Sequence, residues 1–396
     1  MPKKLVIFCD GTWNEPTKRG TNVVRMLQAT DFVDNDGNPQ ITHYIAGVGT
    51  RREDEKVIGG AFGFGISENI KNAYAFIVSN YNVGDEIYLF GFSRGAYTAR
   101  SIAGLIHNLG VLCRCNLPLV SVAYNHYKDR TDAWKPGGAE SEKFRKEYCH
   151  PYPTKIRFLG VWDTVGALGA PYGELLGRIL DSLFKTGFHD VTLSRSVDAA
   201  YHAMAADERR WPFRPTPVSL MEYHRTRNEQ NIAEHGFPLY AERWFPGVHS
   251  NVGGGYEKYG LSDCALQWMA DRAKENGLKL IDWKAVGFAP DRPFAPDPKE
   301  EIENSQTLGY RLATAWLVKL PTLFGLKSVY PTRDQLLARY VDWIGDYVRP
   351  IRTQADVSAL MEKKKVDPDY NPRNVPLTTA SAFSPAQSKE REDVDG

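Results

Sequence analysis

The chain has 396 residues, of which 42% are hydrophobic and 24% are charged. Such proportions are typical of a globular protein with a buried core and not of a disordered or membrane-spanning chain. The formal net charge is +1, so the chain as a whole has no electrostatic attraction for nucleic acid, and we predict no nucleic-acid partner.

The cysteines and the N-terminus indicate where the protein works. Its five cysteines are scattered and form no CxxC pair, so we expect reduced thiols and no bound metal. The apolar run at residues 5–9 is too short for the hydrophobic region of a signal peptide. The sequence also lacks the roughly 20 uncharged apolar residues that a membrane-spanning helix requires. These features predict a cytoplasmic protein whose contact with a membrane would be peripheral.

Predicted strands and helices alternate along the first part of the chain. Apolar runs that end at polar residues predict the strands, and apolar residues at helical spacing predict the helices. In chain order we predict a strand at 5–9, a helix at 22–29 capped by Thr21, a strand at 42–46, a helix at 67–80, a strand at 86–90, a helix at 94–108 and a strand at 155–161.

This alternation predicts an α/β fold of the α/β-hydrolase type, with a mostly parallel sheet and helices on both of its faces. Functional loops of such sheets gather at the carboxyl ends of the strands. Asp10, Ser93 and Asp163 each follow a predicted strand, so we expect them at the same edge of the sheet.

One catalytic domain would account for residues 1–345, with insertions at about 128–153 and 171–190 and a helical part from about 300. Residues 346–396 would form a C-terminal extension that is partly disordered, because its end is rich in Pro, Ser, Asp and Glu.

Two apolar patterns suggest how a substrate could be enclosed. Residues 171–190 carry apolar side chains at helical spacing, which is compatible with a lid over the site or with a helix packed on the core. Residues 308–326 likewise could line an acyl-chain pocket or pack internally.

Gly91-Phe92-Ser93-Arg94-Gly95 fits the G-x-S-x-G pattern of a serine nucleophile. A sharp turn between a strand and a helix exposes the serine in this pattern, and the glycines relieve crowding. The predicted strand ends just before the turn and the predicted helix begins just after it, which is the required setting. A glycine-rich turn whose serine caps the helix is the alternative. We favour Ser93 as a nucleophile.

An activated serine needs a base and an orienting acid, and both follow the serine along the chain in this fold. Asp163 ends a predicted strand and is the candidate acid. The alternative role for Asp163 is to cap a turn, and the alternative acids are Asp207 and Asp263. His249 follows an apolar, strand-like run and precedes a glycine-rich loop, so we predict that it is the base. His202, which lies among apolar residues, is the alternative base, although this setting is more typical of a core histidine.

Two backbone amides would stabilise the oxyanion. The N–H of Arg94 is the expected first donor, and the loop of Gly11 and Thr12 would supply the second. Asp10 would hold this loop in place, and an Asx turn from Asp10 onto Thr12 is compatible with that role.

A group of glycines raises a different possibility, a phosphate cradle. Gly59, Gly60, Gly63 and Gly65 do not follow the order G-x-G-x-x-G, and the residues before them are charged and not strand-like. Dinucleotide binding is therefore disfavoured.

Several blocks together resemble the α/β-hydrolase domain of the first family of type VI secretion lipase effectors and its bacterial and fungal relatives. The blocks are residues 5–14, 91–96, 160–166, 206–213, 244–256 and 260–268. The resemblance implies a triad of Ser93, Asp163 and His249, and it implies hydrolysis of the acyl esters of glycerophospholipids. It also leaves open export by a secretion system that uses no signal peptide.

The sequence therefore predicts a serine esterase or lipase that forms an acyl-enzyme and uses neither cofactor nor metal. Its partner would be a lipid or another acyl ester. The alternative is a non-catalytic binding or scaffolding protein that retains the hydrolase fold.

Overall fold

A six-stranded parallel sheet forms the centre of the protein, with the strand order β2-β1-β3-β4-β5-β6. The strands are β1 (Lys4–Cys9), β2 (Gln40–Ile45), β3 (Glu86–Phe92), β4 (Ile156–Trp162), β5 (Ala200–Ala205) and β6 (Tyr240–Phe245). The computed structural model describes residues 2–11, 20–47, 59–151, 153–165, 192–210, 213, 215–282, 293–305, 349, 351, 356–372 and 374.

Helices cover both faces of this sheet, so the predicted α/β architecture is confirmed. They are α1 (Asn22–Ala29), α2 (Gly59–Asn80), α3 (Arg94–Leu109), α4 (Val120–Lys128), α5 (Ala139–Tyr148), α6 (Glu222–His235), α7 (His249–Gly253), α8 (Gly260–Glu275) and α9 (Ser358–Val366). Helices α2 and α3 pack on one face, and α1 and α8 pack on the other.

The alternation of side chains along β1 explains why the sheet is covered on both faces. Leu5, Ile7 and Cys9 belong to one core cluster, and Val6 and Phe8 belong to the other. All of them have no exposed surface. Burial of each large apolar side chain contributes about 1.5–3 kcal/mol, so both layers of helices stabilise the central strands.

Strand register brings the functional loops to one edge. Cys9 is paired with Gly91, and Phe92 is paired with Trp162. Because the strands are parallel and end in register, the residues after β1, β3 and β4 emerge side by side.

Contacts of α1 support the same edge. Thr21 caps this helix, as predicted, because its hydroxyl accepts a hydrogen bond from Val24 N at 3.3 Å. The Asn22 amide donates to Val252 O at 2.8 Å and to Ser262 O at 2.9 Å, which joins α1 to α7 and α8.

The C-terminal segment packs on the end of the sheet that holds β5 and β6. Asp356 accepts a hydrogen bond from Arg243 Nε at 2.6 Å, and its carbonyl accepts one from Trp244 N at 2.9 Å. Leu360 and Tyr370 are buried beside Trp244 in a third apolar cluster. Residues 356–372 are therefore tied to the edge strand of the sheet.

Several predictions fall on other parts of the chain. Gly59, Gly60, Gly63 and Gly65, which were considered as a phosphate cradle, lie within α2. Thr12, the region 171–190 and the region 308–326 lie outside the described residues. Among the described residues, no helix has the length and apolar character that crossing a membrane requires.

Candidate active site

Ser93 stands on the sharp turn between β3 and α3. Its backbone has φ 58° and ψ −121°, a conformation that is costly for a residue with a Cβ. The Ser93 amide donates to Trp162 O at 3.0 Å, which fixes the turn to β4. The side chain of Ser93 makes no capping hydrogen bond to α3, so the alternative role of a serine that caps the helix is not observed.

The glycines on either side of Ser93 are needed for close packing. A Cβ on Gly91 would lie 2.5 Å from Gly95 O and 2.7 Å from Ala96 N. A Cβ on Gly95 would lie 2.6 Å from Asp10 O. Both positions therefore exclude any side chain, which explains the G-x-S-x-G spacing physically.

Asp163 follows β4 directly and is also held in an unusual backbone conformation, with φ 38°. Among the described residues, Ser93 and Asp163 are the two non-glycine residues with a positive φ. Such outliers concentrate at functional sites, where the surrounding structure holds them. The Asp163 amide donates to Ala203 O at 2.7 Å, and Oδ1 of its carboxylate accepts from Ala205 N at 3.0 Å.

His249 begins the short helix α7 after β6, and its Nδ1 lies 2.6 Å from Asp163 Oδ2. This contact places the Nδ1 proton toward the carboxylate, so Nε2 is the basic nitrogen of the neutral ring. The ring lies against Phe92, with centroids 4.6 Å apart, and its edge meets Phe213 at 4.8 Å. The His249 amide donates to Glu208 Oε2 at 3.2 Å.

The stretch after His249, which we expected to be a loop, is a single helical turn. Gly253 ends this turn against the ring of Phe92, where no Cβ could be accommodated. Gly254 follows with φ 84°, which stops the helix. Gly253 therefore allows α7, which begins with His249, to pack directly against Phe92 at the end of β3.

Charges and burial set the protonation of the pair. Burial alone would raise the pKa of Asp163, but the Arg349 guanidinium and the hydrogen bond from His249 outweigh it and hold this pKa well below its ordinary value. Burial lowers the pKa of His249, and Asp163 opposes that effect only in part. At neutral pH the pair is therefore a carboxylate beside a neutral imidazole.

The alternative histidine has other partners. His202 Nε2 accepts a hydrogen bond from Thr164 N at 3.1 Å, and its Nδ1 lies 3.1 Å from Glu242 Oε1. Only 1% of its surface is exposed. His202 thus has the contacts of a core histidine, with both ring nitrogens occupied.

The alternative carboxylates are also engaged elsewhere. Asp207 accepts from Gly247 N at 2.7 Å and from the Tyr370 hydroxyl at 3.0 Å. Asp263 forms a buried ion pair with Arg25, and its Oδ2 accepts a hydrogen bond from Ala295 N at 2.8 Å. The carboxylate that the structure brings to His249 is that of Asp163.

Asp10 follows β1 directly, and its carboxylate accepts hydrogen bonds from Gly11 and from two hydroxyl groups. Asp10 Oδ1 accepts from Gly11 N at 2.7 Å, and Oδ2 accepts from the hydroxyls of Thr21 and Tyr44, both at 2.8 Å. The Gly11 amide is therefore engaged by Asp10. The Arg94 amide, in the first turn of α3, is placed directly after Ser93.

Residues 3–272 match the family described as T6SS, phospholipase effector Tle1-like, catalytic domain. The chain belongs to this family. The uncharacterized protein YEL023C of Saccharomyces cerevisiae is 27% identical to this member of the Tle1-like family over 241 residues, which are 56% of this chain and 33% of the yeast protein. The chain thus spans about a third of the length of that curated relative.

Two solved structures were also found to be similar to this Tle1-like chain. An uncharacterized protein from Pseudomonas aeruginosa has 18% identity and a TM-score of 0.43, with 80% of this chain and 51% of the other covered. The Tle1 effector bound to the VgrG spike of the type 6 secretion system has 14% identity and a TM-score of 0.43, with 86% and 83% covered.

Arg349 is a site residue that sequence reasoning missed, and it lies outside the span that matches the Tle1-like family. Its Nη1 lies 2.6 Å from Asp163 Oδ1, and its Nη2 lies 2.9 Å from Asp163 Oδ2. The side chain has no exposed surface. Its surroundings, Val348-Arg349-Pro350, contain no pattern that would have marked it.

Glu208 was missed as well, although a signal exists in the sequence. It follows β5 within the charged run of residues 207–210 and is 1% exposed. The Arg210 side chain forms two hydrogen bonds with it, from Nε at 2.9 Å and from Nη2 at 2.8 Å. A run of charges directly after an apolar strand of a parallel sheet was the available indication.

Proposed function

We propose that the protein is a serine hydrolase that cleaves carboxylic esters of lipids or phospholipids, with Ser93, His249 and Asp163 as its triad. The observation that supports it best is the 2.6 Å contact of Asp163 with His249 at the sheet edge where Ser93 stands on a strained turn. Membership of a family of phospholipase effectors supports the lipid ester as substrate.

The reaction would proceed in two steps. His249 Nε2 accepts the proton of the Ser93 hydroxyl while the Ser93 oxygen attacks the ester carbonyl. The same proton then passes from His249 to the departing alcohol. Water next attacks the acyl-serine, gives a proton to His249, and the free acid leaves as the serine regains that proton. Asp163 stays ionised throughout and stabilises the imidazolium.

The oxyanion of each tetrahedral intermediate would bind the Arg94 amide at the beginning of α3. Removal of one such donor from a serine hydrolase lowers kcat by a factor of roughly 10²–10³. The loop of Gly11 and Thr12 would supply the second donor. Since Asp10 already accepts the Gly11 N–H, the Thr12 amide is the donor that we assign to this role.

A fluorophosphonate probe tests the proposal without knowledge of the natural ester. The Ser93 oxygen would attack phosphorus and expel fluoride, and His249 would take the proton, which leaves a mass increase on the peptide that contains Ser93. We expect labelling of the wild type and none of Ser93→Ala. Ser101→Ala, which removes a buried serine of the same helix, is the matched control and should be labelled like the wild type.

Substrate class is tested by hydrolysis of p-nitrophenyl esters and of phospholipid vesicles by the wild type and by Ser93→Ala. Release of fatty acid by the wild type alone would support a phospholipase. Equal hydrolysis and equal labelling of both proteins would contradict catalysis by Ser93. Absence of hydrolysis and of labelling in the wild type would favour a non-catalytic binding protein with this fold.

The family also supports two proposals on location. We propose peripheral contact with a lipid surface and export by a secretion system that uses no signal peptide. Cosedimentation with phospholipid vesicles tests the first, and recovery of tagged protein from the culture medium tests the second.

A further inference from the structure

We infer that Arg349 is a positioning residue of the active site, which fixes the Asp163 carboxylate against His249 and tunes the basicity of that histidine. The inference rests on the proposed triad and extends it to a part of the chain outside the residues that match the family.

The guanidinium of Arg349 is held from several sides. Its Nη1 donates to Asp163 Oδ1 at 2.6 Å and to Ala205 O at 2.7 Å. Its Nη2 donates to Asp163 Oδ2 at 2.9 Å and to Phe213 O. The two parallel hydrogen bonds to one carboxylate are a geometry that arginine provides and lysine does not.

These contacts determine where the Asp163 oxygens point. Oδ1 accepts from Ala205 N and from Arg349, and Oδ2 accepts from His249 and from Arg349. Four donors on two oxygens fix the plane of the carboxylate. Without the fork of Arg349, a single backbone amide at 3.0 Å would be left to orient it toward the histidine.

The positive charge of Arg349 also affects His249. Among the described residues, the charged groups that act on the imidazole are Asp163 after β4 and Glu208 and Arg210 after β5. Arg349 acts on Asp163 and so reaches the imidazole through that carboxylate. Arg349 offsets the negative charge of Asp163 and so makes the imidazolium less favourable. Removal of this cation should make His249 easier to protonate.

The backbone at Arg349 is tied to the sheet next to the site. The Asn374 amide donates both to Arg349 O at 3.0 Å and to Ala206 O at 3.1 Å, just beyond β5. The Arg349 backbone is thus held at the edge where Asp163 lies, which explains how a residue 186 positions away reaches this carboxylate.

The test compares three variants of the full chain. Arg349→Met removes the charge, Arg349→Lys keeps the charge but loses the fork, and Arg243→Met breaks the ion pair with Asp356 that ties down the same segment without touching Asp163. For each, the rate of fluorophosphonate labelling is measured against pH, and the His249 imidazole is titrated by NMR.

We expect Arg349→Met to move the acidic limb of the labelling rate and the His249 titration to higher pH, by roughly 1 unit. Arg349→Lys should react with the probe more slowly, and the acidic limb of its labelling rate should lie near that of the wild type. Arg243→Met should show neither change. If the acidic limb of the labelling rate lies at the same pH in Arg349→Met and in Arg243→Met, the inference is overturned.

The outcomes also separate this inference from the proposed function. Absence of labelling in the wild type would contradict serine catalysis, and the NMR titration would still decide on Arg349. If Arg349→Met does not fold, Arg349→Lys decides: a labelling rate and a His249 titration both equal to those of the wild type would contradict a positioning role.

Discussion

Gly95, in the first turn of α3, packs directly on the backbone of Cys9 at the end of β1, so that any Cβ at position 95 would overlap the Cys9 carbonyl. This contact joins the turn that carries Ser93 to the loop that we propose for the oxyanion. The two parts of the candidate site are therefore positioned by one glycine.

Gly95→Ala should push the beginning of α3 away from β1 and displace both Ser93 and the Arg94 amide. We expect fluorophosphonate labelling to fall by roughly 10² or more, the cost of a lost oxyanion donor. Gly20→Ala is the control, because its Cβ would meet its nearest neighbour at 3.7 Å. Normal labelling of Gly95→Ala would contradict the proposed geometry.

The two buried histidines should respond differently to removal. His249→Ala takes away the proposed base, and we expect a loss of roughly 10²–10⁴ in labelling rate. His202→Ala leaves Thr164 N and Glu242 without their ring partner, which should cost about 1–3 kcal/mol in the free energy of unfolding. Labelling rates are measured together with urea denaturation, and a catalytic loss confined to His202→Ala would reverse the assignment.

Sequence patterns predicted the local parts of the candidate site. The turn at Ser93 was recognisable because strand, glycines and helix are adjacent, and Asp163 because it ends a strand. β5 was not assigned, since Ala200–Ala205 has no alternation that distinguishes strand from helix. Arg349 was unpredictable because its role depends on a contact across the fold, which no local pattern encodes.

The labelling rate should depend on pH through His249. In the proposed mechanism neutral imidazole is the base, so the rate should fall as pH falls through the pKa of His249. Burial lowers that pKa below its ordinary value of 6.5, and we therefore expect the midpoint of the acidic limb below 6.5. Circular dichroism over the same pH range separates this limb from acid unfolding. A midpoint above 6.5 in the folded protein would contradict the view that burial lowers the pKa of His249 by more than Asp163 raises it.

Asp163→Asn should damage stability as well as chemistry, since it removes the carboxylate that pairs with the buried Arg349 cation. We expect a loss of about 3–5 kcal/mol in the free energy of unfolding, together with a loss of roughly 10⁴ in labelling rate.

Adding Arg349→Met to Asp163→Asn removes the cation that has lost its partner, so the double variant should recover stability relative to Asp163→Asn. It should not recover labelling, because the orienting carboxylate is still absent. Urea denaturation of the two single variants and the double variant gives the coupling energy between the two side chains. Additive losses of stability would mean that the ion pair between Asp163 and Arg349 does not hold the two residues together.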